Sequence, residues 1–177
     1  GGQRKATELL EKQHRKVEAI FKKLENGRTD KGPLVVELAD NLAAHMAIEQ
    51  EIFYPAVAKV APDLIPEGYA EHSLAELAIK RLLQTDPEEA AFKARVVAAK
   101  ELIGHHVEEE EEEMFEKVRK AFDDDALETL GKQMKKRFDE VLAAGYANAV
   151  PKGFAKTSAD GTRKNIRVAA ATKKKAA

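Results

Sequence analysis

Four histidines of this chain stand at positions where a helical core stripe would ordinarily carry leucine, and three of them have a glutamate four residues downstream: His45 with Glu49, His72 with Glu76, His106 with Glu110. The fourth, His14, interrupts a stripe of Leu10, Val17, Phe21 and Leu24. Imidazole and carboxylate are poor core residues, because burying an unpaired carboxylate costs several kcal/mol or more, roughly. Such groups on four separate helices need something to neutralise them, and a bound metal does so directly. Imidazole with carboxylate and no thiolate suits iron, manganese or zinc, and argues against a structural cysteine-type zinc site. Seven ligands exceed the needs of one ion, whereas carboxylates readily bridge two.

The elements that must position these groups read as helices. Residues at spacings of three and four form one face of a helix. Helix A, about Gln3 to Glu25, gives Leu10, His14, Val17, Phe21 and Leu24, and its Asn26-Gly27 end predicts a left-handed cap. Helix B follows Gly32-Pro33, with Pro33 expected at the first helical position, and runs to about Val60 with a break near Pro55. Its stripe is Leu38, Leu42, His45, Glu49 and Ile52. Helix C, about Pro66 to Gln84, carries Ile65, Tyr69, His72, Glu76, Ile79 and Leu83. Helix D is announced by Asp86-Pro87-Glu88-Glu89 and extends to about Phe122 with Phe92, Val96, Ala99, Ile103, His106, Glu110 and Met114. Asp125 with Glu128 suggests a capping box for helix E, which ends near Gly145.

The expected fold is therefore all-α: an antiparallel four-helix bundle over 1–122, an accessory C-terminal helix over 123–145, and a basic extended tail over 146–177. The composition agrees, with 44% apolar and 34% charged residues and no Trp or Cys among 177. Absence of Cys excludes disulfides and thiolate ligands, and fits a cytoplasmic setting. No apolar run approaches the roughly 20 residues of a membrane span. The net charge of −1 hides an asymmetry: residues 143–177 hold eight Lys and Arg against Asp160 alone, so the remainder is acidic. The tail lacks the interleaved aromatics of a stacking platform, so nucleic acid is not an expected partner, and no protein partner can be read. The opening Gly1-Gly2 looks like an added leader.

The order His on helix A, His-x-x-x-Glu on B, His on C and His-x-x-x-Glu on D resembles the hemerythrin-like, HHE cation-binding domains. Two strings carry the resemblance: His45-Met46-Ala47-Ile48-Glu49 followed by Phe53-Tyr54-Pro55, and His105-His106-Val107 followed by Glu110-Glu111 and Met114-Phe115. Their alignment pairs His45 with His106 and Glu49 with Glu110, which selects His106 over His105. The resemblance covers about residues 7–120. It implies a non-haem di-iron centre, oxo- or hydroxo-bridged, with His14, His45, His72 and His106 as terminal ligands and Glu49 and Glu110 as bridges. The family's oxygen carriers place a histidine where this chain has Glu76, and an aspartate where it has Glu110. Glu76 as a seventh ligand would stabilise ferric iron and, if monodentate, leave one position open, which disfavours reversible O2 carriage. Tyr69 is expected to line the pocket, and His105 to lie behind the ligands or at the surface.

Three functions follow as expectations. The first is a protein binding O2, NO or peroxide in redox sensing, protection or iron handling. The second is an enzyme using the same centre to consume peroxide, in the manner of a catalase or peroxidase, or acting as an oxidase. The third is a metal-free helical interaction module.

Overall fold

The computed structural model describes residues 5–149. Helix α1 (Ala6–Asn26) is followed by α2, which runs Lys31–Ile48 and continues through a π turn, Glu49–Phe53, into Tyr54–Val57. Helix α3 spans Leu64–Leu83. Helix α4 runs Ala90–Glu109 and continues through a second π turn, Glu110–Met114, into Phe115–Ala121. Short connections make successive helices antiparallel, and α1 packs on α2 and α4 while α3 packs on the same two, closing a four-helix ring. Helix α5 (Asp124–Ala144) lies against α1 and α2, and a single turn, α6 (Tyr146–Ala149), follows it. Among the described residues no helix is long and apolar enough to cross a membrane. From residue 150 on, the expected basic tail lies outside the described residues.

Several helix ends differ from the sequence expectation, each for a local reason. Gly27 is extended (φ −79°, ψ 155°) rather than left-handed. It is needed for proximity, since a Cβ there would sit 2.4 Å from the Lys23 carbonyl oxygen. Helix α2 starts at Lys31 because the Asp30 side chain accepts the Gly32 N–H, so Pro33 stands third in the helix rather than first. Asp86 organises a turn, accepting from Glu88 N, and α4 begins only at Ala90. Asp123, not Asp125, caps α5 by accepting from Ala126 N at 2.8 Å. Gly145, at φ 78°, does adopt the left-handed-side conformation that favours glycine.

On α3 the buried stripe is Ile65, Gly68, His72, Ala75, Ile79 and Leu82. Tyr69, Glu76 and Leu83, expected on that stripe, lie one residue off it. Small residues at Gly68 and Ala75 let the neighbouring helices close over this face.

The apolar core is split in two. One cluster gathers Val17, Phe21, Leu38, Leu42, Ile79, Phe92, Val96 and Ile103; the other gathers Leu10, Ile48, Phe53, Tyr54, Ile65, Met114, Phe115 and Val118, with Leu127 and Met134 of α5. Between them, on each of the four bundle helices, fall the buried histidines and glutamates. The fold is a bundle with a polar layer across its middle.

Candidate metal centre

His14, His45, His72, His106, Glu49 and Glu110 are all buried and converge on one point. Their atoms form two overlapping groups, one of His14, His45, Glu49 and Glu110, the other of Glu49, His72, His106 and Glu110, each with ligand atoms within 4.8 Å of one another. Glu49 reaches both sides: Oε1 is 2.9 Å from His45 Nε2 and Oε2 is 2.9 Å from His72 Nε2. Glu110 does likewise, with Oε2 3.2 Å from His14 Nε2 and Oε1 3.1 Å from His106 Nε2.

Each imidazole is aimed from behind through Nδ1. His14 Nδ1 lies 2.8 Å from Glu111 Oε1, His45 Nδ1 2.7 Å from Gln13 Oε1, His72 Nδ1 3.0 Å from Gln50 Oε1, and His106 Nδ1 3.0 Å from Glu71 Oε1. An ionised carboxylate only accepts, so Nδ1 of His14 and of His106 carries the proton and Nε2 faces the centre. Such backing of a ligand imidazole fixes its tautomer and orientation. A two-fold pattern relates these partners. The residue before His14 backs His45 on the next helix, and the residue before His72 backs His106. The residue after Glu49 backs His72, and the residue after Glu110 backs His14.

The π turns belong to this pattern, since each begins at a bridging-position carboxylate. In a π turn the amide bonds back five residues instead of four. Tyr54 N–H accordingly bonds the Glu49 carbonyl. The Gln50 carbonyl is thereby freed, Pro55 has no N–H to offer it, and the Tyr69 hydroxyl donates to it at 3.1 Å. The expected break at Pro55 is thus a widened turn that brings Glu49 inward.

The residue five beyond each carboxylate breaks the symmetry. Phe115 stacks on His14 with ring centroids 5.9 Å apart, while Tyr54 stacks on His72 at 5.3 Å. The Tyr54 hydroxyl donates to Glu110 Oε1 at 2.6 Å and lies 3.2 Å from His72 Nε2. Room for it comes from Gly68, where a Cβ would stand 2.8 Å from the Tyr54 oxygen. The position equivalent to Gly68 on the other side, four before His14, is Leu10.

Electrostatics follow from burial among two carboxylates. Burial alone would depress the His14 and His106 pKa values. Contacts with Glu110 and Glu111 outweigh it for His14, raised to about 9. Contacts with Glu110 and Glu71 outweigh it for His106, raised to about 11. His45 is depressed by burial. Burial pushes Glu110 up, but His106 and His14 hold it well below the usual carboxylate range. The Tyr54 phenol is pushed up, by burial first and then by Glu49 and Glu110.

The donor set fits a pair of cations. Glu49 Oε1, Glu49 Oε2 and Glu110 Oε2 are buried without a hydrogen-bond partner. His14 Nε2 faces His45 Nε2 at 3.2 Å, and His72 Nε2 faces His106 Nε2 at 3.2 Å. Imidazole nitrogens and carboxylate oxygens packed this closely are costly unless positive charge lies among them, as protons in the metal-free chain or as cations when loaded.

Three expected site residues are not brought to this centre. Glu76 is half-buried on the flank of α3, its pKa raised by burial, and it belongs to none of the potential ligand groups. Tyr69 is 37% exposed and reaches only the Gln50 carbonyl. His105 is exposed, beside Glu109. Glu71, Gln13 and Gln50 were not singled out by the sequence, yet each is adjacent in sequence to a stripe residue, which is the signal that marks them.

A cavity of about 20 Å³ abuts the histidines, lined otherwise by apolar side chains such as Leu42, Met46, Ala75, Ile103 and Val107, with Glu71 the one carboxylate. That is room for one small molecule, since a single water needs roughly 10–15 Å³.

Comparison with known proteins adds a lineage to this geometry. The family model described as the hemerythrin HHE cation-binding domain matches residues 5–118. The crystal structure of a hemerythrin HHE cation-binding domain-containing protein from Mycobacterium kansasii is similar, with TM-score 0.71 and 27% identity over 85% of this chain and 95% of that one. No curated protein matches.

Proposed function

Because the chain belongs to the hemerythrin HHE cation-binding domain family, we propose that its polar layer holds two non-haem iron ions and offers them to O2, nitric oxide or peroxide, in redox sensing, protection or iron handling. The observation that carries this reading is the convergence of four imidazole Nε2 atoms on two buried carboxylates, whose Glu49 Oε1, Glu49 Oε2 and Glu110 Oε2 have no neighbouring polar group but those imidazoles. His14 and His45 would hold one ion, His72 and His106 the other, with Glu49 and Glu110 reaching both. Nitrogen and oxygen donors in this mixture suit iron, with manganese and zinc as competitors. Bound iron supplies Lewis acidity and electrons for capturing and reducing small oxygen or nitrogen ligands.

The chain's own residues define how such a ligand is met. Four imidazoles and two shared carboxylates fill eight of the roughly twelve positions of two six-coordinate ions. With Glu76 on the flank, openness does not depend on its binding mode. The apolar wall of the cavity admits a diatomic molecule or peroxide and excludes larger or charged groups. Anaerobic addition of nitric oxide to the iron-loaded protein is expected to produce an adduct with visible absorption; no spectral change at saturating nitric oxide would overturn the proposal.

One observation favours a second reading, that of an enzyme consuming peroxide. The Tyr54 O–H sits 2.6 Å from Glu110 Oε1, inside the layer, where it can pass a proton to or from a bound ligand through that carboxylate. Steady-state peroxide consumption by the loaded wild type, lost in His72→Ala and reduced in Tyr54→Phe, would establish turnover. Stoichiometric reaction without turnover would leave a binding protein.

A further inference from the structure

Outside the buried layer, one other group of side chains among the described residues has the composition of a metal site. Glu71, His105 and Glu109 each offer an atom, and the three atoms lie within 4.8 Å of one another. His105 Nε2 is 3.3 Å from Glu109 Oε1, and the His105 side chain is 64% exposed, so the group opens on solvent. One histidine with two carboxylates is a donor set for a borderline divalent cation.

Its place in the fold points inward. Glu71 belongs both to this group and to the buried layer, because its Oε1 lies 3.0 Å from His106 Nδ1. A narrow cleft of about 10 Å³ runs along Leu64, Gly68 and Met114 and is bounded by Glu71, Glu109, His106 and Glu110. Glu110 is buried, and its Oε1 lies 3.1 Å from His106 Nε2 on the side of the cleft. Surface carboxylates and the interior carboxylate of Glu110 thus line one cleft, beside Gly68.

We propose that Glu71, His105 and Glu109 form an entry site that captures a divalent cation from solution and delivers it through the Gly68 cleft to Glu110. The site rests on the two-ion reading of the interior, since it supplies that layer. It binds its ion more weakly than the interior, being solvated and held by only three side chains, so it is a waiting position rather than a store. Electrostatic focusing by the surrounding acids raises the local cation concentration.

The test uses the full chain stripped of metal. Manganese(II) titration followed by electron paramagnetic resonance should find one ion more in the wild type than in the double variant His105→Ala/Glu109→Gln. Anaerobic loading with limiting ferrous iron should be at least tenfold slower in that variant, with the same iron content at the end. Neither residue is a proposed ligand of the interior, so the endpoint should not move. Glu112→Gln/Glu113→Gln, which removes two exposed acids of the same helix, should load at the wild-type rate. The proposal is overturned if the double variant keeps the additional manganese or loads at the wild-type rate. It is equally overturned if the Glu112/Glu113 control slows as much, because diffuse charge would then suffice. A chain that takes up no iron at all would refute the two-ion reading together with this one, whereas full loading at an unchanged rate refutes the entry site alone.

Discussion

Loading metal into this layer should expel protons from two of its imidazoles. In the metal-free chain His14 has its pKa raised to about 9 and His106 to about 11, so both imidazoles are charged at pH 7. Their Nε2 atoms are the ones that face Glu110, and their Nδ1 protons are held by Glu111 and Glu71. A ligand imidazole must be neutral at the atom that binds. Each of the two therefore releases a proton from Nε2, whereas His45, depressed by burial, has none to give. The account predicts release of close to two protons per chain on full loading between pH 7 and 8. Overall affinity should then rise with pH by about two tenfold steps per unit, or ~2.7 kcal/mol per pH unit. Calorimetric titration with zinc in two buffers of different protonation enthalpy measures the number directly. In Glu110→Gln the carboxylate that raises both pKa values is gone, and the release should fall. Fewer than one proton from the wild type, or no change in Glu110→Gln, would refute the reasoning.

The same two histidines predict how the metal-free fold responds to pH. Their folded pKa values exceed the unfolded value near 6.5, so the stability they contribute is present below that pH and lost as pH rises through 9 and 11. The metal-free melting temperature should fall between pH 7 and 10, and a flat profile would contradict the assignment. Gly68 and Gly104 should respond oppositely to alanine. A Cβ at Gly68 meets fully buried Tyr54 at 2.8 Å, and overpacking of ~1–3 kcal/mol offsets or exceeds the ~1 kcal/mol of helix propensity gained, lowering the melting temperature by up to roughly 8 °C. At Gly104 the Cβ meets nothing within 4 Å, so Gly104→Ala should raise it by about 2–4 °C. Equal shifts in both variants would show that Tyr54 does not fill the space. His106→Ala should lower the iron bound at equilibrium while His105→Ala leaves it unchanged; the reverse pattern would exchange the two residues' roles.

The helices, their order and the six residues of the layer were legible in the sequence because a polar group on an apolar stripe is conspicuous at helical spacing. The alignment of the helix α2 and α4 strings separated His106 from its exposed neighbour His105 for the same reason. Glu76 misled because a spacing of four was assumed on α3. The buried face there steps from Gly68 to His72 and then to Ala75, and hydrophobic periodicity cannot distinguish three from four when the inner residue is small. The π turns left no sequence trace beyond Pro55, since they arise from inserting one residue into a helix whose composition is otherwise ordinary. Tyr54 is a core aromatic; its second role depends on Gly68 of another helix, a contact no local pattern contains. The backing residues Gln13, Gln50, Glu71 and Glu111 look like surface polar residues until the bundle closes over them.

The central claim is that Glu49 and Glu110 join two metal positions in one layer. Elemental analysis of the chain after anaerobic loading with excess ferrous iron and removal of unbound metal tests it most directly. Two irons per chain are predicted, falling to one or none in Glu49→Gln. Less than one iron per chain in the wild type, or a Glu49→Gln variant that still holds two, would contradict the account.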